Sequence, residues 1–182
     1  MAATIFARQG IANTTVRDIG EEAGILSGSL YHHFTSKDEM VEEIIRSALD
    51  PDIERDEALA HSDVEPVEAV RQLVERALRF THDHPAVATI LANSRQELLA
   101  AERFDFLRTR TDTIRRAWEA VLQRGVDHGV FRADLDVDLA YKAVMGAISA
   151  APQWYRPDGP HRIDEIARQF AELFLRGFLN GS

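Results

Sequence analysis

The residues with the most conspicuous chemistry lie between positions 27 and 37. Ser27, Gly28, Ser29, Tyr31 and His32 bring hydroxyls, a phenol and an imidazole together around a glycine. Groups of this kind suit phosphates and base edges. Tyr31 can lay its ring and hydroxyl on a phosphate or a thymine methyl, His32 can donate to a base edge or a phosphate, and the small residues permit close approach. Thr15 and Arg17 before this stretch and Lys37 after it stand at helix starts, where backbone N–H groups also meet phosphate oxygens. These eight residues are the candidates for contact with double-stranded DNA.

The elements that must position them are legible in the same stretch. Thr15 and Asp18 form a weak capping box, so a helix begins near Val16, with Val16, Ile19 and Ala23 on one face. Gly24 follows where a helix ends in a left-handed residue. After the turn Gly24-Ile25-Leu26 a second helix opens at Ser27, an N-cap type, and runs to about Phe34. Leu26, Leu30 and Phe34 recur every four residues and are expected to point inward together. Ser36-Lys37-Asp38-Glu39 is a full capping box that starts a further helix. Two short helices joined by a tight turn, the second with a polar outer face, make a helix-turn-helix pattern. On geometry alone a structural corner in a helical bundle fits as well.

The residues narrow that choice. TTVRDIGEEAGILSGSLYHHFTSKDEMV, residues 14–41, closely resembles the headpiece of the TetR family of transcriptional regulators. The resemblance implies an all-α chain: a three-helix helix-turn-helix DNA-binding domain at 1–47, then a helical ligand-binding and dimerisation domain at 48–182. It makes Ser27 to His33 the recognition helix, with His33 facing inward. It also implies that the last two helices pair with those of a second copy, and that a small molecule binds in the second domain and alters the separation of the two headpieces. Phe80, Ile90, Ser94, Phe104, Ile114, Trp118, Met145 and Ser149 are the wall residues expected for that effector, and their mostly apolar character suits an apolar or amphipathic ligand. GILSGSLYHHF and the later WYRP, residues 154–157, are similar to actinobacterial repressors of lipid and steroid catabolism, some of which answer to acyl-CoA thioesters. Relatives usually carry a further stretch, often basic, ahead of Ala2. Here the first helix begins at about Ala2 with Arg8 as its cation, so either that start is absent from this chain or a basic arm is lacking.

Composition bounds the rest. A chain of 182 residues with 45% hydrophobic and 28% charged residues has the make-up of an ordinary soluble globular protein, long enough for a small and a larger domain. It has no apolar run of membrane-spanning length and no signal-peptide pattern. The absence of cysteine removes disulfides and thiolate metal sites and fits a reducing compartment, with the cytoplasm as default. A net charge of −9 argues against indiscriminate coating of nucleic acid, so DNA contact must depend on where a few cations sit.

Periodicity continues the chain as helices. Ala2 to Gln9 closes at Gly10. The helix from Ser36 should bend or break at Pro51. Further helices run from Pro66 to before Pro85, Pro85 to Leu99, Arg103 to His128, Val137 to Ala151 and Ile163 to Leu179. Gly146, Ala147, Ala150 and Ala151 would let another helix come close. The apolar stripe of the last helix suits either intrachain core or dimerisation.

Other chemistry is weakly supported. His82-Asp83-His84 suggests a metal or a histidine-aspartate hydrolase, but neighbours at i and i+2 on a helix face different ways. No catalytic order, phosphate loop or carboxylate pair stands out, so no enzyme, cofactor or metal is expected. The leading expectation is a dimeric regulator, a repressor released from a palindromic operator by a small apolar or acyl-CoA-like ligand. The alternative is a ligand-binding helical protein without DNA binding.

Overall fold

A computed structural model describes residues 1–179, the side chain of Ser27 excepted; the last three positions of the expected second domain and the side chain of one DNA candidate therefore lie outside it. Apart from an isolated antiparallel bridge between Phe131 and Leu179, every element among the described residues is helical.

The N-terminal unit comprises α1 (Ala2–Gln9), α2 (Val16–Ala23) and α3 (Ser27–Tyr31). Local chemistry sets its boundaries. Thr15 accepts from the backbone N–H of Asp18, whose carboxylate accepts in return from the Thr15 N–H and hydroxyl, so the expected capping box is present. These hydrogen bonds hold the Asp18 carboxyl below its ordinary value. Gly24 closes α2 at φ 67°, a left-handed conformation that glycine adopts without steric cost.

α4 (Lys37–Ala60) carries the chain out of the headpiece. Ser36 caps it by accepting from the Glu39 N–H, whereas the Glu39 carboxylate reaches Thr35, one residue before the cap, and is held below its ordinary value by that hydroxyl and N–H. Of the bend or break expected at Pro51, the break does not occur. Proline removes one N–H, but Ser47, whose carbonyl loses that partner, is exposed, so water can satisfy it and α4 runs on to Ala60.

The larger unit adds α5 (Pro66–Asp83), α6 (Pro85–Ala100), α7 (Asp105–Asp127), α8 (Val137–Ser149), α9 (Ala151–Trp154) and α10 (Ile163–Phe178). A 3-10 turn, Glu102–Phe104, stands where α7 was expected to start. α8 ends at Ser149, two residues before the expected Ala151, and Pro152 sits in the first turn of α9, where its missing N–H costs nothing.

Two apolar cores result. One, built around Leu73, Trp118, Phe131 and Leu175, lies within the larger unit. The other joins Ile5, Phe6, Ile19, Val41 and Ile45 to Val87, Ile90, Leu98, Phe104 and Leu107. The headpiece is therefore seated on α6 and the start of α7, and its core crosses the boundary expected at residue 47. Arg103 pairs with Asp38 at 3.1 Å and Arg110 with Asp50 at 2.9 Å across the same seam.

Candidate DNA-reading helix and ligand cavity

α3 is held from beneath and open above. Leu30 and Phe34 are half-buried against the headpiece core, while Gly28, Ser29, Tyr31 and His32 are exposed, Tyr31 at 57%. Two expectations fail here. Leu26 is 82% exposed, because it occupies the extended N-cap position, so a four-residue spacing counted from it does not lie on the helical face. His33 is exposed too, since α3 ends at Tyr31 rather than near Phe34 and the carbonyl of Leu30 closes the turn by accepting from the N–H groups of His33 and Phe34.

The flanking candidates divide. Arg17 is exposed and paired with Glu21 on its own helix at 2.7 Å. An exposed pair of this kind is weak and screened by solvent, so a phosphate can displace the carboxylate. Thr15 is exposed but serves as the cap of α2. Lys37 is occupied inside the protein, where its ammonium donates to the carbonyls of Ile11 at 2.7 Å and Thr14 at 2.9 Å and ties α4 to the loop before α2. Its side chain fixes the headpiece geometry, and the N-terminus of α4 keeps backbone N–H groups for a phosphate.

Within the larger unit, α4 to α9 line a cavity of about 380 Å³. Phe80, Ile114, Trp118, Met145 and Ser149 line it, as expected. Ile90 and Phe104 do not; both are buried in the core beneath the headpiece. Ser94 also lies outside the lining. The side of α6 that lines the wall carries Ala88, Leu91, Ala92 and Arg95, a helical spacing turned away from that of Ile90 and Ser94. Sequence reasoning missed Arg95 and the pair Asp56–Arg76, which meet at 2.7 Å in the wall. Burial raises the Asp56 carboxyl to about 6, outweighing the downward pull of Arg76. Their signal was a carboxylate and a guanidinium on otherwise amphipathic helices, which in sequence resembles any solvated face.

The other polar motif has a structural role. His82 Nδ1 lies 2.7 Å from the Tyr155 hydroxyl and His84 packs against the Phe80 ring. Among the described residues no group of three or more His, Asp or Glu could hold a metal ion.

The division into a helix-turn-helix headpiece and a larger helical unit agrees with the families this chain matches. The family model for bacterial regulatory proteins of the tetR family matches residues 1–44, and that for a tetracyclin repressor-like C-terminal domain matches residues 63–178. The chain belongs to the TetR family. TetR-family proteins are regulators of transcription rather than enzymes, and this chain is a transcriptional repressor of that family. The HTH-type transcriptional repressor KstR2 of Rhodococcus jostii is 40% identical over 178 residues, 97% of this chain and 87% of that one. KstR2 of Mycobacterium tuberculosis strain H37Rv is 39% identical over 177 residues, 97% of this chain and 88% of its own length. The solved structure of the ketosteroid transcriptional regulator KstR2 of M. tuberculosis superimposes with a TM-score of 0.91 at 38% identity, covering 99% of this chain and 92% of that one. AibR, solved in complex with isovaleryl coenzyme A and operator DNA, shares the TetR fold at 20% identity with a TM-score of 0.81, covering 94% and 92% of the two chains.

Proposed function

We propose that this TetR-family repressor acts in the cytoplasm as a homodimer that reads a palindromic operator with two copies of α3 and is released by a small apolar or acyl-CoA-like ligand in the cavity. The reading assigns residues 1–47 to DNA and 48–182 to ligand and dimerisation. The observation that carries it is the placement of α4 and α6. α4 begins at the headpiece cap Ser36 and further along lines the cavity with Leu49, Asp52, Ile53 and Asp56. α6 presents Val87 and Ile90 to the headpiece core and Ala88, Leu91 and Arg95 to the cavity. A ligand that changes the spacing of these helices must move the headpiece, by no more than its differential affinity for the two arrangements permits.

On α3, Gly28, Ser29, Tyr31 and His32 supply base-edge and phosphate contacts, with Arg17 and the backbone at the starts of α2 and α4 on the flanking phosphates. Arg95, exposed at the cavity wall without a hydrogen-bonded or ionic partner among the described residues, suits an anionic portion of an amphipathic ligand. The dimer face is the apolar strip of α8 and α10 containing Leu139, Gly146, Phe170, Leu173 and Phe174, in which Leu173 is 68% exposed. The relatives named KstR2 and the acyl-CoA complex of AibR support the reading by kinship and fold. Among the described residues no helix is long and apolar enough to cross a membrane.

The test is a gel-shift titration with duplex from upstream of the protein's own gene. The expected result is binding that weakens steeply as salt rises, a loss of about tenfold or more with Tyr31→Ala, and release by a medium-chain acyl-CoA. No shift of the duplex at low salt would favour the ligand-binding protein without DNA, and a shift that survives Tyr31→Ala would reject α3 as the reading helix.

A further inference from the structure

The helices on either side of α3 start on side-chain caps: Thr15 accepts from the N–H of Asp18, and Ser36 from that of Glu39. α3 starts on Leu26 instead, which takes the extended N-cap backbone and makes no side-chain cap hydrogen bond. A leucine where serine or threonine would cap leaves a helical N–H without its acceptor and weakens the helix. Nor does the side chain serve the core. At 82% exposure Leu26 is the most exposed large apolar residue among the described ones, ahead of Leu173 on the proposed dimer face.

Gly28, two positions on, repeats the pattern. It lies inside a five-residue helix without a positive φ, and a Cβ built on it would meet nothing within 4 Å among the described residues. Neither backbone conformation nor internal packing asks for glycine here, and glycine weakens a helix relative to alanine. Two local rules are thus broken at the start of one helix with no gain to the fold, which is the mark of a surface kept for a partner.

The N-terminal residues of a helix that enters the major groove meet base edges. Those edges are polar except for one group, the C5-methyl of thymine. Resting on the reading of α3 as the DNA-reading helix, we propose that Leu26 is a specificity residue that packs on a thymine methyl in each half-site, with Gly28 leaving the base edges room to approach. Contact removes the apolar surface of both leucine and methyl from water. A cytosine at the same place presents an amino donor that leucine cannot accept, so the leucine selects against it as well as for thymine.

Gel-shift titration of the full chain tests this with two duplexes from upstream of its own gene, one ordinary and one in which deoxyuridine replaces every thymidine, which deletes the methyl groups and keeps the pairing. One buried methyl is worth about fourfold, so over two half-sites the native chain should prefer the thymine duplex by about tenfold. Leu26→Ser, which restores a capping side chain and removes the apolar one, should narrow that preference to within about twofold by weakening binding to the thymine duplex. Its thermal midpoint should equal or exceed that of the native chain. A native chain indifferent to the methyl groups, a preference that survives Leu26→Ser, or a midpoint lowered by the substitution overturns the role of Leu26, while the reading helix stands. Failure of the native chain to shift either duplex at low salt removes the DNA reading of α3 and this proposal with it.

Discussion

Asp56 is the residue whose behaviour departs furthest from its sequence. Burial raises its carboxyl to about 6, so the folded chain takes up a proton that the unfolded chain, titrating near 3.8, does not hold. The contribution of this group is therefore fully present below about pH 4 and is lost as pH rises to about 6, by roughly 2–3 kcal/mol. Asp50 works in the opposite sense. The Arg110 guanidinium holds its carboxyl below the ordinary value, so its contribution is present at neutral pH and is lost on acidification. Urea unfolding of the native chain and of Asp56→Asn between pH 4 and 7 separates the two: the stability of the native chain relative to the variant should decline as pH rises through that window, and a constant difference would refute the assignment. What sequence could convey at this scale was short-range. The Thr15–Asp18 capping box spans three residues and was legible, as was the αL position of Gly24. The Lys37 tie to Ile11 and Thr14 spans more than twenty and depends on how α4 meets the preceding loop. The exposure of Leu26 turned on one backbone conformation just outside the helix.

At the scale of elements, helix existence was legible and helix facing was less so. The stripe of α6 is apolar on more than one side, because it packs on the headpiece with Val87 and Ile90 and lines the cavity with Ala88, Leu91 and Ala92. A helix buried on two faces gives no single periodic signal, and that is why Ile90 and Ser94 were placed in the wall and Arg95 was not. Pro51 left bend and break both open for a related reason: its cost depends on whether the freed carbonyl meets water, which sequence does not state. Gly125 shows a constraint of the same kind. It is buried in α7, and a Cβ there would meet the Phe131 ring at 2.1 Å. Gly125→Ala should destabilise the chain by about 1–3 kcal/mol despite alanine's better helix propensity, because Phe131 anchors the turn after α7 and bridges to Leu179. A thermal melt reads the outcome, and an unchanged or higher midpoint would mean that the ring has room to move.

For the whole molecule, the proposed function rests on a symmetric pair. One five-residue recognition helix meets too few base pairs for specificity, and two of them related by a two-fold axis read a palindrome with half-sites about 34 Å apart. The face expected to join them is visible as exposed Leu139 and Leu173 beside the ring ladder Trp154, Phe170, Phe174, Phe178. Leu173→Glu puts a charge on that face without touching the core, so sedimentation should show monomers that keep their helical signal; unaltered dimers would move the interface elsewhere. The most direct test of the account is a hydroxyl-radical footprint of the protein on its operator. It should show two protected patches centred about one helical turn, or a whole multiple of it, apart, both erased by Tyr31→Ala. A single patch, or protection that survives the loss of Tyr31, would contradict the placement of α3 as the reading helix of a two-fold dimer.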